Sequence, residues 1–206
     1  MIDLNNYKKI GILGGTFNPI HMGHLLMAEK AREAADLDIV ILMPSGISYL
    51  KTHLGVLSGP KRLEMVDLAI QDNPHFISSD IEIMRQGNTY TYETLLYFKE
   101  QYPDSEVYFI VGADSLFSME KWMNPDIIFN NCTILAAGRN QTTMSQMLEK
   151  KAFLEEMYHA KIQLLEFGQI EISSSMIREN IKNHKSIRYM LPEPVRKYIM
   201  EHQLYL

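Results

Sequence analysis

The sequence predicts an α/β fold in which a doubly wound parallel sheet carries helices on both faces. Three observations carry the prediction. Short apolar runs alternate with amphipathic segments along the chain. The runs are continuously apolar rather than alternating, as strands covered on both faces require. Glycines gather at Gly14-Gly15, where a strand pattern gives way to a helical one. Strands are expected near Lys9–Leu13, Asp38–Met43, Phe76–Ser78, Val107–Val111, Thr133–Ala136 and Gln163–Phe167. Helices are expected near Gly23–Ala35, Pro60–Asp72, Thr91–Gln101, Met144–Tyr158, Ser174–Asn183 and Glu193–His202. Pro60, after Ser58, and Pro194 sit where an early helical position leaves the missing N–H harmless. No repeat, low-complexity stretch or linker divides residues 1–206, so one domain is expected.

Composition narrows the function classes. Of 206 residues, 46% are hydrophobic and 22% charged, enough for an ordinary globular core. No apolar run approaches the roughly 20 residues that span a bilayer, and the start Met-Ile-Asp-Leu-Asn-Asn-Tyr-Lys-Lys lacks the layout of a signal peptide. A cytoplasmic protein without a membrane partner is expected. The formal net charge of −5 argues against nucleic acid as the main partner, because backbone binding draws on a surplus of lysine and arginine. Cys132 is the only cysteine, in a segment that reads as the start of a buried strand, and is taken as packing in a reducing compartment. The 14 methionines read as core filler.

The most informative stretch runs from Ile10 to Leu26: strand, glycine turn, helix. Glycine backbone can approach an anion closely, and the free N–H groups and positive dipole end of the following helix attract negative charge. His21 and His24, three residues apart at the helix start, can share one face and point two imidazoles at one phosphate. Taken alone, such a pair also reads as surface or capping histidines. A Walker A loop is excluded because no lysine lies between Gly11 and Glu29, and the dinucleotide fingerprint fails because the glycines fall at 11, 14 and 15.

The string Gly14-Gly-Thr-Phe-Asn-Pro-Ile-His-Met-Gly-His-Leu25 resembles the signature of the nucleotidylyltransferase superfamily, and in this full form that of the bacterial nicotinate-nucleotide adenylyltransferases. The resemblance continues through separated motifs in the same order as far as Arg178. It implies a Rossmann-like core with the carboxyl-terminal helices, from about residue 173, packed beside it.

Each later motif has a plain structural reading beside the functional one. In the loop from Pro44 to Ser58, Lys51 is a solvated lysine or a phosphate contact on a lid. The resemblance implies the latter, although Ser48-Tyr-Leu-Lys51 stands where the family commonly has Pro-Pro-His-Lys. In Gly87-Asn-Thr-Tyr-Thr-Tyr-Glu-Thr-Leu95, Thr89 or Thr91 can cap a helix. The resemblance places Thr91 against the nicotinate ring, with Glu93 where aspartate is usual. Gly112 permits close backbone approach, and Asp114 is a ribose-binding carboxylate or an N-cap. Trp122, the only tryptophan, would by itself be core; by resemblance its indole stacks on the nicotinate ring. Arg139 offers a fork for a substrate phosphate. Ser173, Ser174 and Ser175 with Arg178 are helix caps and a surface arginine, or a second phosphate cradle; the string resembles the family's Ile-Ser-Ser-Thr-x-Ile-Arg, with Ser175 keeping the hydroxyl of threonine. Arg188, Arg196, His184 and His202 are read as surface or packing.

The implied reaction is transfer of AMP from ATP to nicotinate mononucleotide, giving deamido-NAD and pyrophosphate. His21 and His24 would hold and neutralise the triphosphate. Gly14, Gly15, Thr16 and Phe17 with Ser173–Ser175 and Arg178 would bind the ATP phosphates, helped by Lys51. The metal implied is Mg²⁺, carried on ATP phosphates and water rather than on a protein site. The expected partners are these two nucleotides, with self-association left open. Two alternatives stand: a sibling transferase acting on phosphopantetheine or nicotinamide mononucleotide, and a nucleotide sensor without catalysis.

Overall fold

A computed structural model describes residues 4–48, 55–138, 144–166, 168 and 170–206. The elements in order are β1 (Lys9–Gly15), α1 (Met22–Ala35), β2 (Ile39–Pro44), β3 (Ile47–Ser48), α2 (Gly59–Ile70), β4 (Phe76–Ser78), α3 (Ile81–Met84), β5 (Asn88–Thr89), α4 (Thr91–Gln101) and β6 (Glu106–Gly112). They continue with α5 (Ala113–Ser118), a 3₁₀ turn (Met119–Lys121), α6 (Pro125–Asn131), β7 (Thr133–Ala137), α7 (Met144–Tyr158), β8 (Lys161–Leu165), α8 (Ser174–Lys182) and α9 (Glu193–Glu201).

Six strands form one sheet in the order β4-β2-β1-β6-β7-β8, and β3 pairs with β5 separately. The β1–β6, β6–β7 and β7–β8 pairs are parallel, with Lys9 opposite Glu106 and Leu13 opposite Ile110. The chain winds from β1 outward to β2 and β4, then returns to β6 on the other side of β1. The strand order therefore reverses at the β1–β6 junction, the point where ligands of open α/β sheets collect. All six residues of β2 are buried, which accounts for its unbroken Ile-Val-Ile-Leu-Met-Pro run.

The backbone divides into two compact units, each built from separate stretches of sequence. The first holds Met1–Gly14, Met27–Ile41 and Tyr90–Ile170. Its core is made of Ile10, Ile12, Leu13, Ile110, Ile134 and Leu135, all at most 2% exposed. The second holds Gly15–Leu26, Leu42–Thr89 and Glu171–Leu206, and buries Phe17, Ile20, Met65, Val66, Ile177, Val195 and Ile199.

The elements outside the expected strands and helices are too short to show periodicity: β3, β5, α3 and α6, while α5 is the short helix for which Asp114 was a candidate cap. Neither Thr89 nor Thr91 caps α4. Thr89 is buried in β5, and Tyr90 takes the N-cap position with no side-chain capping bond to the helix. Gly46 shows what sets the path before β3. A Cβ there would lie 2.1 Å from the Glu82 carbonyl oxygen, so only glycine leaves room for the α3 backbone.

Tyr108 and Tyr198 tie their hydroxyls to carboxylates. Tyr108 donates to Glu106 Oε2 at 2.8 Å in the first unit, and Tyr198 donates to Glu64 Oε2 at 2.7 Å in the second. Burial first, and the neighbouring carboxylate second, push both phenols up to about 12, from an ordinary value of about 10. The folded chain thus keeps protons that the unfolded chain releases, and stability falls as pH rises from about 10 to about 12. Thermal unfolding followed by circular dichroism across that interval should show this fall, and Tyr108→Phe and Tyr198→Phe should each make it shallower. Parallel curves for wild type and both variants would contradict the assignment.

Candidate active site

The second unit begins where β1 runs out, and its first residues form a buried, irregular turn. A Cβ on Gly15 would lie 2.8 Å from the Phe17 ring, so glycine is required by space there. A Cβ on Gly14 would meet only Phe109, at 3.7 Å, an ordinary contact. Phe17 adopts φ 47° and is 1% exposed, and Asn18, Ile20 and His21 are at most 4% exposed. Buried backbone that is neither helix nor strand must find partners for its carbonyls elsewhere. Arg62 on α2 supplies three bonds. Its Nη1 donates to the Thr16 carbonyl at 2.7 Å, Nη2 to the Ser45 carbonyl at 2.7 Å, and Nε to the Leu57 carbonyl at 3.0 Å. Burial lowers the affinity of this guanidinium for its proton, and the carbonyls hold the charge in place. Ser45 N–H donates in turn to the Gly15 carbonyl at 2.8 Å.

The turn delivers the two histidines. The rings of His21 and His24 stack with centroids 3.7 Å apart and planes 26° from parallel, and Phe17 meets His24 edge-on at 5.0 Å. The His21 backbone N–H donates to His24 Nδ1 at 3.3 Å. An imidazole that accepts at Nδ1 carries its proton on Nε2, so His24 presents an N–H donor on its far side. Met22 N–H donates to the Met190 carbonyl at 2.9 Å, which fixes the entry into α1.

The start of α8 is bound to the same turn by successive carbonyls. Ser174 Oγ donates to the Pro19 carbonyl at 2.8 Å, and Arg178 Nη1 to the Asn18 carbonyl at 2.8 Å. Arg178 Nη2 reaches Ser175 Oγ at 3.1 Å. Ser173 is the N-cap, accepting from Met176 N–H at 3.2 Å. Within the second unit, then, Gly15, Thr16, Phe17, His21, His24, Ser174, Ser175 and Arg178 belong to one hydrogen-bonded and stacked assembly.

The first unit carries the remaining described residues. Gly112 ends β6 and is the N-cap of α5, so Asp114 lies inside the first turn of that helix, exposed, and is not its cap. Trp122 follows the 3₁₀ turn, half-buried; its indole N–H donates to Ser118 Oγ at 3.3 Å, and its ring stands edge-on to Phe109 at 6.3 Å. The neighbouring turn is held by Lys150 of α7, which pairs with Glu120. Thr91 is the first residue of α4, half-buried, followed by Tyr92, whose hydroxyl donates to Glu93 Oε1 at 3.2 Å. Lys51 and Arg139 lie outside the described residues.

Arg62, Asn18 and Tyr205 belong to the assembly and have no part in the sequence-based site. For Arg62 a signal was present. Arg62, Met65, Val66, Ala69 and Ile70 are the buried residues of α2, and their spacing puts an arginine at the head of an apolar stripe. A charge there calls for buried acceptors. Replacing Arg62 with methionine leaves three carbonyls without their donor and should destabilise the chain by about 3 kcal/mol or more. Lysine should restore only part, because an ammonium lacks the planar fork. Urea unfolding checks both; a methionine variant within about 1 kcal/mol of wild type would contradict the role.

Comparison with known proteins identifies the family. The model for the family described as "Cytidylyltransferase-like" matches residues 12–180. A protein of Lachnoclostridium phytofermentans named "Probable nicotinate-nucleotide adenylyltransferase" is 50% identical over 199 residues, covering 97% of this chain and 100% of its own. One of the same name from Clostridium beijerinckii is 42% identical over 202 residues, covering 96% of this chain and 99% of its own. Among solved structures, the Plasmodium falciparum nicotinic acid mononucleotide adenylyltransferase complexed with NaAD superposes with a TM-score of 0.80 at 20% identity, over 96% of this chain and 97% of that one, a likeness of fold. On identity sustained over nearly its whole length, the chain belongs to the nicotinate-nucleotide adenylyltransferase family.

Proposed function

We propose that the chain transfers AMP from ATP to nicotinate mononucleotide, releasing pyrophosphate and forming nicotinate adenine dinucleotide. The observation that carries the reading is the stacked His21–His24 pair at the start of α1, joined through the Asn18 and Pro19 carbonyls to Arg178 and Ser174 of α8. Two imidazoles, a guanidinium and two helix starts in one assembly suit a polyanion better than any other ligand class. The family of the chain supplies the chemistry that a polyanion site alone leaves open.

The nucleophile is the 5′-phosphate of nicotinate mononucleotide, an oxyanion at neutral pH, so no side chain has to be deprotonated to attack the α-phosphorus. What the protein supplies is position and opposing charge. His24 donates from Nε2 to a phosphate oxygen, and His21, stacked against it, keeps that ring from rotating away. The Gly14-Gly15 backbone, Thr16 and Phe17 shape the approach of the phosphates. Arg178, with Nη1 on the Asn18 carbonyl and Nη2 on Ser175 Oγ, offers its remaining N–H bonds to ATP, and the α8 start adds the dipole behind Ser173, Ser174 and Ser175. Lys51 adds a point charge to the phosphates, and Arg139 takes the phosphate of the acceptor nucleotide.

For the acceptor, Trp122 offers an indole face to the electron-poor pyridine ring, and Thr91 at the α4 start offers hydroxyl and N–H to its carboxylate. Gly112 gives close backbone approach, and the exposed Asp114 carboxylate accepts from ribose hydroxyls. ATP is taken with Mg²⁺ held by its own phosphates and by water rather than by protein ligands. When bound, that ion neutralises the pyrophosphate as it leaves.

With ATP and Mg²⁺, pyrophosphate release should be strong with nicotinate mononucleotide and weak with nicotinamide mononucleotide or phosphopantetheine. A preference for either of the others would relocate the error to Thr91 and Trp122; silence with all three would leave a nucleotide-binding protein without catalysis. His24→Ala should lower kcat by a factor of about 100 or more while the far-ultraviolet circular dichroism of the folded chain is retained. A near-normal turnover in that variant would refute its role.

A further inference from the structure

We infer that Tyr205 is a positioning residue for ATP, acting through Asn18 on Arg178. The inference rests on Arg178 being an ATP contact, as proposed above.

Asn18 is 4% exposed, and its polar atoms are divided among four neighbours. Its Oδ1 accepts from Tyr205 Oη at 2.9 Å and from Leu57 N–H at 3.2 Å. Its Nδ2 donates to the Gly55 carbonyl at 3.0 Å, and its own carbonyl holds Arg178 Nη1 at 2.8 Å. All these residues lie in the second unit. The direction of the Asn18 carbonyl is set by the backbone of a residue whose side chain is anchored at three points. Of the three anchors, two are backbone groups of residues 55 and 57. The third is a side-chain hydroxyl from a segment 187 positions further along the chain.

Removing that hydroxyl leaves Oδ1 with the Leu57 bond and leaves the packing of the phenyl ring unchanged, so the turn still forms. What is lost is one of the restraints on Asn18, and with it the fixed direction of the carbonyl that carries Arg178. Arg178, tied at Nη1 to this carbonyl and at Nη2 to Ser175 Oγ, presents its other N–H bonds in a set direction; with the carbonyl no longer fixed, the ligand must complete the ordering, which weakens binding. The guanidiniums of Arg62 and Arg178 both bear on Tyr205 electrostatically, which places the ring beside both arginines of the assembly, while its burial keeps the hydroxyl protonated as the donor. The hydroxyl acts on the ATP side and makes no contact that would touch the pyridine nucleotide.

The test is kinetic. Tyr205→Phe should raise KM for ATP about fivefold or more, while KM for nicotinate mononucleotide changes less than twofold. Because the effect runs through Arg178, the same substitution made in an Arg178→Ala background should change kcat/KM for ATP by less than twofold. An unchanged KM for ATP in the single variant, an equal rise in both KM values, or a fivefold loss that persists without Arg178 would each overturn the inference. If wild-type protein forms no dinucleotide, the proposed function fails on its own account. Calorimetric Kd values for ATP with Mg²⁺ then replace KM, with the same shift expected from Tyr205→Phe and the same silence expected in the Arg178→Ala background.

Discussion

The structure turns on the need to satisfy a buried, irregular backbone. Between Gly15 and His21 the chain leaves the sheet without yet entering a helix, and most of those residues are hidden from water. Carbonyls in such a place cost free energy unless a donor meets them. Arginine can reach several at once, and the second unit uses it twice: Arg62 for Thr16, Ser45 and Leu57, and Arg178 for Asn18. Each solution has a consequence. Arg62 spends its donors on structure and stays out of the chemistry. Arg178 spends one nitrogen on the Asn18 carbonyl and another on Ser175, and gains a fixed direction for the rest. The device that stabilises the turn is the one that orients the proposed ATP contact.

The same economy governs the histidines. A flexible pair of imidazoles would have to be ordered by the substrate at the moment of reaction. Here the His21 N–H occupies His24 Nδ1, the two rings stack, and Phe17 closes the edge. In the proposed reaction, preorganised donors of this kind would lose little as charge develops at phosphorus. A covalent route has no support from the cysteine content. Cys132 is buried, its thiol is pushed up by burial, and its Sγ lies 3.3 Å from the Ile128 carbonyl in the first unit.

Much of this was legible in the sequence, for identifiable reasons. The six expected strands are the six strands of the main sheet, because each is apolar enough to stand out from its flanks. Phe76–Ser78, Thr91–Gln101 and Met144–Tyr158 fall at the expected boundaries. The glycine-histidine string marked the turn because its chemistry is local. Local reasoning failed where partners are distant. The serine hydroxyls at α8 read as caps or ligand contacts, whereas only Ser173 caps and Ser174 is bound to a carbonyl 155 positions away. Tyr205 carried no signal, since nothing in Gln203-Leu-Tyr-Leu206 indicates a partner at Asn18. Arg62 is the exception, a charge at the head of an apolar stripe, which by itself signals buried acceptors.

The central claim is that the protein positions and neutralises, and that the acceptor phosphate itself attacks. Chirality at the α-phosphorus reports this directly. ATP made chiral there by sulfur substitution, converted with nicotinate mononucleotide and analysed by phosphorus NMR, should give a dinucleotide with inverted configuration, the mark of a single in-line displacement. Retention would mean two displacements and an adenylylated side chain, and would contradict the account.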